Sequence, residues 1–128
     1  MGVMLRLILA VIVAALAAAA QQVKEDSPCP AAVTTLDMRV CLSKALDAAD
    51  SELNAAYTKI RARLDGEDAK RLIVAQRLWV QFRDANCTAS RELYAGGTLA
   101  PVVYLACLDG MTRARTKDLL ATYRVRLE

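Results

Sequence analysis

The sequence predicts an all-α fold: a small three-helix antiparallel bundle with an irregular N-terminal arm, stapled by two disulfides. Apolar residues recur at helical spacing in three successive stretches, and no segment alternates with period two over a useful length. The breaks between stretches are short, which favours antiparallel neighbours. Four cysteines, Cys29, Cys41, Cys87 and Cys107, follow an apolar leader. An even count behind an export signal reads as cystines rather than free thiols.

The leader comes first. "MGVMLR" supplies one positive charge at Arg6, and the uncharged run "LILAVIVAALAAAA" fills positions 7–20. Ala18 and Ala20 stand at −3 and −1 of a cut before Gln21, the layout of a secretory signal peptide over residues 1–20. The competing reading, an uncleaved anchor, needs roughly 20 apolar residues to span a bilayer, and this run has 14. No cysteine follows closely enough to carry a lipid. The expected product is a soluble bacterial protein, periplasmic or secreted, with no membrane attachment after cleavage.

Residues 21–33, "QQVKEDSPCPAAV", hold two of the three prolines and lack periodicity, so they form the arm, which Cys29 ties down. A helical domain spans 34–128. Thr34 is an N-cap candidate with Asp37 three residues on, a capping-box-like start. The stripe Leu42, Leu46, Ala49, Leu53, Ala56, Ile60 and Leu64 then marks an amphipathic helix. "DG" at 65–66 ends it, with Gly66 suited to a left-handed C-cap. Glu67 and Asp68 open a second helix at its positive dipole end. Its expected buried face is Leu72, Ala75, Trp79 and Phe82, widened by Leu78 and Ala85. "AGG" at 95–97 breaks that helix. Thr98 caps a third, with Pro101 in its first turn and Tyr104, Leu108, Met111 and Leu119 on its apolar face. Four cysteines allow three pairings. Cys29–Cys41 with Cys87–Cys107 is the choice in which each pair brackets one chain reversal.

Charge and motif content narrow the function. Losing Arg6 with the leader leaves 16 basic and 14 acidic residues among 108, a net charge of +2, with no run of five like charges. That balance disfavours nucleic acid and anionic membrane as partners. The absence of histidine and of any CxxC spacing argues against a zinc site. Gly96-Gly97 lacks the rest of a phosphate-binding loop. No metal or cofactor is expected.

Each helix nevertheless places polar groups where the core should lie. Asp50, Asn54 and Tyr57 fall at i, i+4 and i+7; Gln76, Arg83 and Asp84 border the Trp79/Phe82 face; Thr112 and Arg115 flank Met111. Buried charge is costly unless paired and hydrogen-bonded. Asp50 or Asp84 is therefore expected to meet Arg83 or Arg115 across helices, with Asn54, Gln76 and Thr112 satisfying the remainder. The same carboxylates could in principle serve acid–base hydrolysis, but a carboxylate held against arginine stays ionised and is a poor proton donor. With no histidine to act as base and with oxidised cysteines, nucleophilic catalysis lacks its parts. The cluster reads as a structural network, and the protein as a non-enzyme. Trp79 is expected in the core, the other role for a lone tryptophan being an interface anchor. The segment "YAGGTLAP", with Tyr94, Gly96, Gly97 and Thr98 at its front, is either a connector or a recognition loop held by a rigid scaffold.

The strings "LDMRVCLSKALDAADSELNAAYTKI", "AQRLWVQFRDANC" and "GGTLAPVVYLACLDGMTRARTKDLL" resemble, in that order, the lysozyme inhibitor LprI N-terminal domain family. The resemblance runs from about Cys29 to Leu120, nearly the whole mature chain. It implies a small exported bacterial protein, helical and disulfide-bonded, that binds rather than catalyses. The partner it implies is lysozyme or another cell-wall hydrolase; the alternative is an envelope interaction module with a different protein partner. The family's namesake is a lipoprotein, and this chain has no lipid-attachment cysteine, so anchoring is not implied. A net charge of +2 gives no long-range steering toward a basic lysozyme. Inhibition would then rest on local contact, with the 94–101 loop entering the substrate cleft.

Overall fold

The computed structural model describes residues 27–128; the predicted leader and arm residues 21–26 lie outside the described residues. Residues 27–31 belong to one unit and Ala32–Glu128 to another. The second unit contains three long helices, α1 (Thr35–Arg61), α2 (Gly66–Glu92) and α3 (Ala100–Thr122), then a single turn, α4 (Arg124–Leu127). Among the described residues there is no strand. The all-α, three-helix expectation holds.

The start of α1 is built as its sequence requires. Thr34 Oγ1 accepts from the Asp37 backbone N–H at 3.1 Å, and Asp37 Oδ2 accepts from the Thr34 N–H at 3.1 Å. This reciprocal capping box satisfies two otherwise orphaned donors. The predicted stripe then faces inward: Leu42, Ala49, Leu53, Ala56 and Ile60 are buried, and Leu46 and Leu64 are half-buried.

Helix α3 is the central element. Ala45 and Leu53 of α1 meet Arg113 and Leu119 of α3, so these two run in the same chain direction, while Gln76 and Cys87 of α2 meet Arg115 and Cys107, so α2 runs the opposite way; α1 and α2 touch each other little. Consecutive long helices are thus antiparallel, as expected. Leu53, Ile60, Leu72 and Leu119 bring all three together near the α1–α2 turn, with Tyr57, Leu64, Trp79, Tyr123 and Leu127 packed around them. Burying each of these aliphatic side chains contributes about 2 kcal/mol.

Helix α2 departs from the expected face. Only Leu72 and Cys87 on it are buried. Leu78 and Phe82 are 60% and 61% exposed, Ala75 and Ala85 are exposed too, and Trp79 is half-buried. The reason is Arg83, which turns inward to bonds on α1 and α3. Residue 82 is one position back, about 100° around the helix, and so faces outward.

Two predicted caps also differ. Gly66 is not a left-handed C-cap: Ala62 closes α1 in the right-handed region, and Gly66 is the first residue of α2. Asp65 is the N-cap instead, its side chain accepting from the Asp68 N–H at 3.1 Å. Thr98 does not cap α3: Leu99 occupies that position without a side-chain bond, while Pro101 sits in the first turn as predicted.

Cys87 and Cys107 form a disulfide with Cα atoms 5.5 Å apart, fastening α2 to α3 across the predicted reversal. Cys29 and Cys41 are also disulfide-bonded, and no free cysteine remains among the described residues. Closing a loop with a sequence separation of 20 contributes about 3 kcal/mol in the chain-entropy account.

Candidate functional site

Because α1 and α2 both lean on α3 while touching each other little, an open groove of about 440 Å³ runs between them. Its walls carry Asp50, Asn54 and Tyr57 from α1 and Gln76, Trp79 and Arg83 from α2. At its floor Arg83 gathers three acceptors. Nη1 donates to Asp50 Oδ1 at 3.2 Å and to Thr112 Oγ1 at 3.0 Å, and Nε donates to Asp84 Oδ1 at 3.0 Å. Thr112 is fully buried, and the Arg83 side chain is only 15% exposed. The side chains of Asp50, on the groove wall, and Asp84, outside it, are 44% and 51% exposed.

A second junction lies one turn along α3 and two along α2. Arg115 Nε donates to Gln76 Oε1 at 3.0 Å, joining α3 to α2. The guanidinium carbons of Arg83 and Arg115 stand 5.3 and 5.7 Å from the Trp79 ring centroid. Cation–π contacts of this kind are worth about 0.5–2 kcal/mol, more as the pair is desolvated. Trp79 is therefore the hinge plate between the two arginines. Of the seven polar residues singled out above, Asp50, Arg83, Asp84 and Thr112 meet in one cluster and Gln76 and Arg115 in the other. Asn54 joins neither: it is exposed on the groove wall, where α1 and α2 part. No buried side-chain nitrogen or oxygen lacks a partner among the described residues.

One buried ionic group escaped the sequence reading. Asp109, 3% exposed, accepts from Arg113 Nε at 3.0 and 3.1 Å, and Arg113 Nη2 reaches the Ala45 carbonyl at 3.4 Å. The i, i+4 spacing of Asp109 and Arg113 was its visible signal. Its burial was not visible, because an acidic residue beside Gly110 reads as solvent-facing.

The second candidate surface is the α2–α3 connection. Tyr94, Gly96, Gly97 and Thr98 are all exposed. The loop turns back on itself, the Gly97 N–H donating to the Tyr94 carbonyl at 3.0 Å, with Gly96 at φ +81°. A side chain is strained in that region. Leu93, Tyr94 and Leu99 project outward, 83%, 45% and 45% exposed. The Cys87–Cys107 disulfide and the stacking of Arg91 on Tyr104, 5.3 Å from the ring centroid, brace the helices behind it.

Chemically the groove offers one carboxylate, Asp50, the amides of Asn54 and Gln76, and the guanidiniums of Arg77 and Arg83. Among the described residues, no group of three or more His, Cys, Asp or Glu side chains is arranged to hold a metal ion. No helix there is long and apolar enough to cross a membrane.

Comparison with known proteins adds three findings. A sequence model described as "Lysozyme inhibitor LprI" matches residues 26–119. An uncharacterised protein of Rhizobium meliloti (strain 1021) is 32% identical over 113 residues, covering 78% of this chain and 80% of its own length. The crystal structure of a DUF1311-family protein from Pseudomonas putida KT2440 superposes with a TM-score of 0.61 at 21% identity. It covers 66% of this chain and 88% of that one, a likeness of fold.

Proposed function

We propose a function from one premise: the chain belongs to the lysozyme inhibitor LprI family. The protein is an exported, non-enzymatic binder that blocks lysozyme or a related peptidoglycan hydrolase in or outside the periplasm. Residues 1–20 direct export, 21–33 form an arm, and 34–128 make up the binding domain. Family membership carries this reading. The oxidised cysteines suit an oxidising compartment. The Asp50 and Asp84 carboxylates are engaged by Arg83 rather than poised as an acid–base pair.

The surface assigned to the hydrolase is the 93–99 loop. It presents Leu93, Tyr94 and Leu99 to solvent from a connection braced by a disulfide. Exposed apolar and aromatic side chains on a pre-ordered loop bind with little loss of conformational entropy. The test is to titrate oxidised protein into a cell-wall suspension clearing under animal-type lysozyme. Clearing is expected to slow saturably at micromolar protein. Tyr94→Ala and Leu99→Ala should each weaken inhibition by about 10-fold or more with the helical spectrum unchanged. Undiminished clearing at micromolar protein would refute the inhibitor reading. Full inhibition by both variants would refute the loop.

A further inference from the structure

The outward face of α2 has its own order. Ala75, Leu78, Phe82, Ala85 and Ala89 follow steps of 3, 4, 3 and 4, and the same series reaches Arg71 before them and Glu92 after them. This is the seam spacing of a coiled coil, with Ala75, Phe82 and Ala89 as one set of core positions and Leu78 and Ala85 as the other. All seven residues are exposed. Beside them Val74 is 55% exposed, and Lys70, Arg71, Val74, Ala75 and Leu78 line an apolar recess of about 380 Å³. The bundle does not use this face, because α2 holds α3 through Gln76, Arg83 and Cys87 on its other side. A surface helix needs one apolar stripe; this one has two.

We infer that α2 pairs with α2 of a second copy of this chain, antiparallel, about a two-fold axis near residue 80. In that register Leu78 faces Phe82 of the second copy, and Phe82 faces its Leu78. Ala75 faces Ala85 on either side, and these small residues let the helices approach closely. Phe82 arrives at the rim of the partner's recess. At the ends Arg71 faces Ala89 of the second copy and Glu92 of that copy falls level with Asp68, one turn from Arg71, so that Arg71 stands between the Asp68 carboxylate of its own helix and the Glu92 carboxylate of the other, twice by symmetry. The end charges set the direction. An in-register parallel pair would place Asp68, Arg71 and Glu92 each against its own like, with no opposite charge between them, whereas the antiparallel pair brings Arg71 to the Glu92 carboxylate. Each now holds a half-exposed partner on its own helix, Asp68 at 2.6 Å and Arg91 at 2.7 Å, ion pairs open to solvent and of small net worth. Opposite charge at the two ends of one apolar seam suits a second copy of the same helix as the occupant.

Sedimentation velocity on the purified, oxidised protein tests this between about 1 and about 200 micromolar, the range expected for one helix-pair interface. A dimer should form as concentration rises. Leu78→Asp and Phe82→Asp should each weaken it at least about 100-fold, because each change strikes the interface twice. Both side chains lie outside the monomer core, so helical content and monomer melting should be unchanged. Arg71→Glu should weaken association, and Arg71→Glu with Glu92→Arg should restore it. A monomer across the whole range overturns the inference, as does a dimer indifferent to Leu78→Asp and Phe82→Asp. Failure of the double charge swap to restore pairing overturns the antiparallel register. None of these outcomes depends on hydrolase inhibition.

Discussion

Arg83 shows how one side chain can set the orientation of a helix. Its fork reaches α1 at Asp50, α3 at Thr112 and its own helix at Asp84, and its guanidinium covers Trp79. Removing it leaves the buried Thr112 hydroxyl and a half-buried carboxylate to find other partners. Leaving such groups unsatisfied costs about 1–3 kcal/mol each when burial is complete. The carboxylates here are half-exposed and partly hydrated, so the total for Arg83→Ala should be about 2 kcal/mol. Asn54→Ala, on the same groove but outside the bonded cluster, should change stability by less than about 0.5 kcal/mol. Urea unfolding of the two variants distinguishes a network from a set of equivalent polar decorations: equal losses would contradict the first description. Arg83→Lys keeps the charge but not the fork, and should recover only part of the loss.

At the scale of the element, the two ends of α1 differ in how they are made, and pH separates them. Asp37 is held below the ordinary aspartate value of 3.8, first by the Thr34 side-chain hydrogen bond and then by the Thr34 backbone N–H. A depressed folded value means that the unfolded chain takes up the proton first as pH falls. The box is fully stabilising above about pH 4 and is lost as pH drops through the folded value. A carboxyl-carbon NMR titration should place the Asp37 midpoint below 3.8, and Thr34→Ala should move it upward. A midpoint unmoved by that change would mean the hydroxyl is not its cause. This end of α1 was legible because a capping box is written in four consecutive residues. The stripe from Leu42 to Ile60 was legible because one face of α1 packs on a single neighbour. The burial of α2 was not. Its 72–85 stretch carries apolar residues on nearly all sides, and a count of apolar positions cannot tell Trp79, which faces Arg115, from Phe82, which faces solvent. The choice between them is made by Asp50 and Thr112, on other helices. Gly66 was misplaced for a similar reason: an aspartate–glycine pair can end one helix or begin the next. Asp65 accepting from the Asp68 N–H decides for the second.

For the whole molecule, the packing is unequal, and that inequality has a dynamic consequence. The α1–α3 seam is the larger one, and α2 is attached chiefly to α3. Toward the turn end it is held by Leu72 in the shared core, and in its middle by Arg83 and Gln76. Beyond Arg83 toward the 93–99 loop, Cys87 is its only buried residue, tied to Cys107. Other contacts there include the weak amide–sulfur approaches of Asn86 to Cys107 and Met111, at 3.7 and 3.4 Å, and the Arg91–Tyr104 stack. The cystine is therefore the principal clamp on that half of α2. Replacing it as Cys87→Ser with Cys107→Ser should lower global stability by about 3 kcal/mol. The loss should also be uneven. In native-state hydrogen exchange, amides of residues 86–92 should lose protection first, while those around Leu53, Ile60 and Leu119 stay protected up to the global limit. If the two groups of amides fell together, the clamp would be stabilising the unfolded-to-folded balance alone and not this end of the helix. The same variant bears on binding: if the loop acts through its order, inhibition should decline with protection of residues 86–92, before the bundle as a whole unfolds.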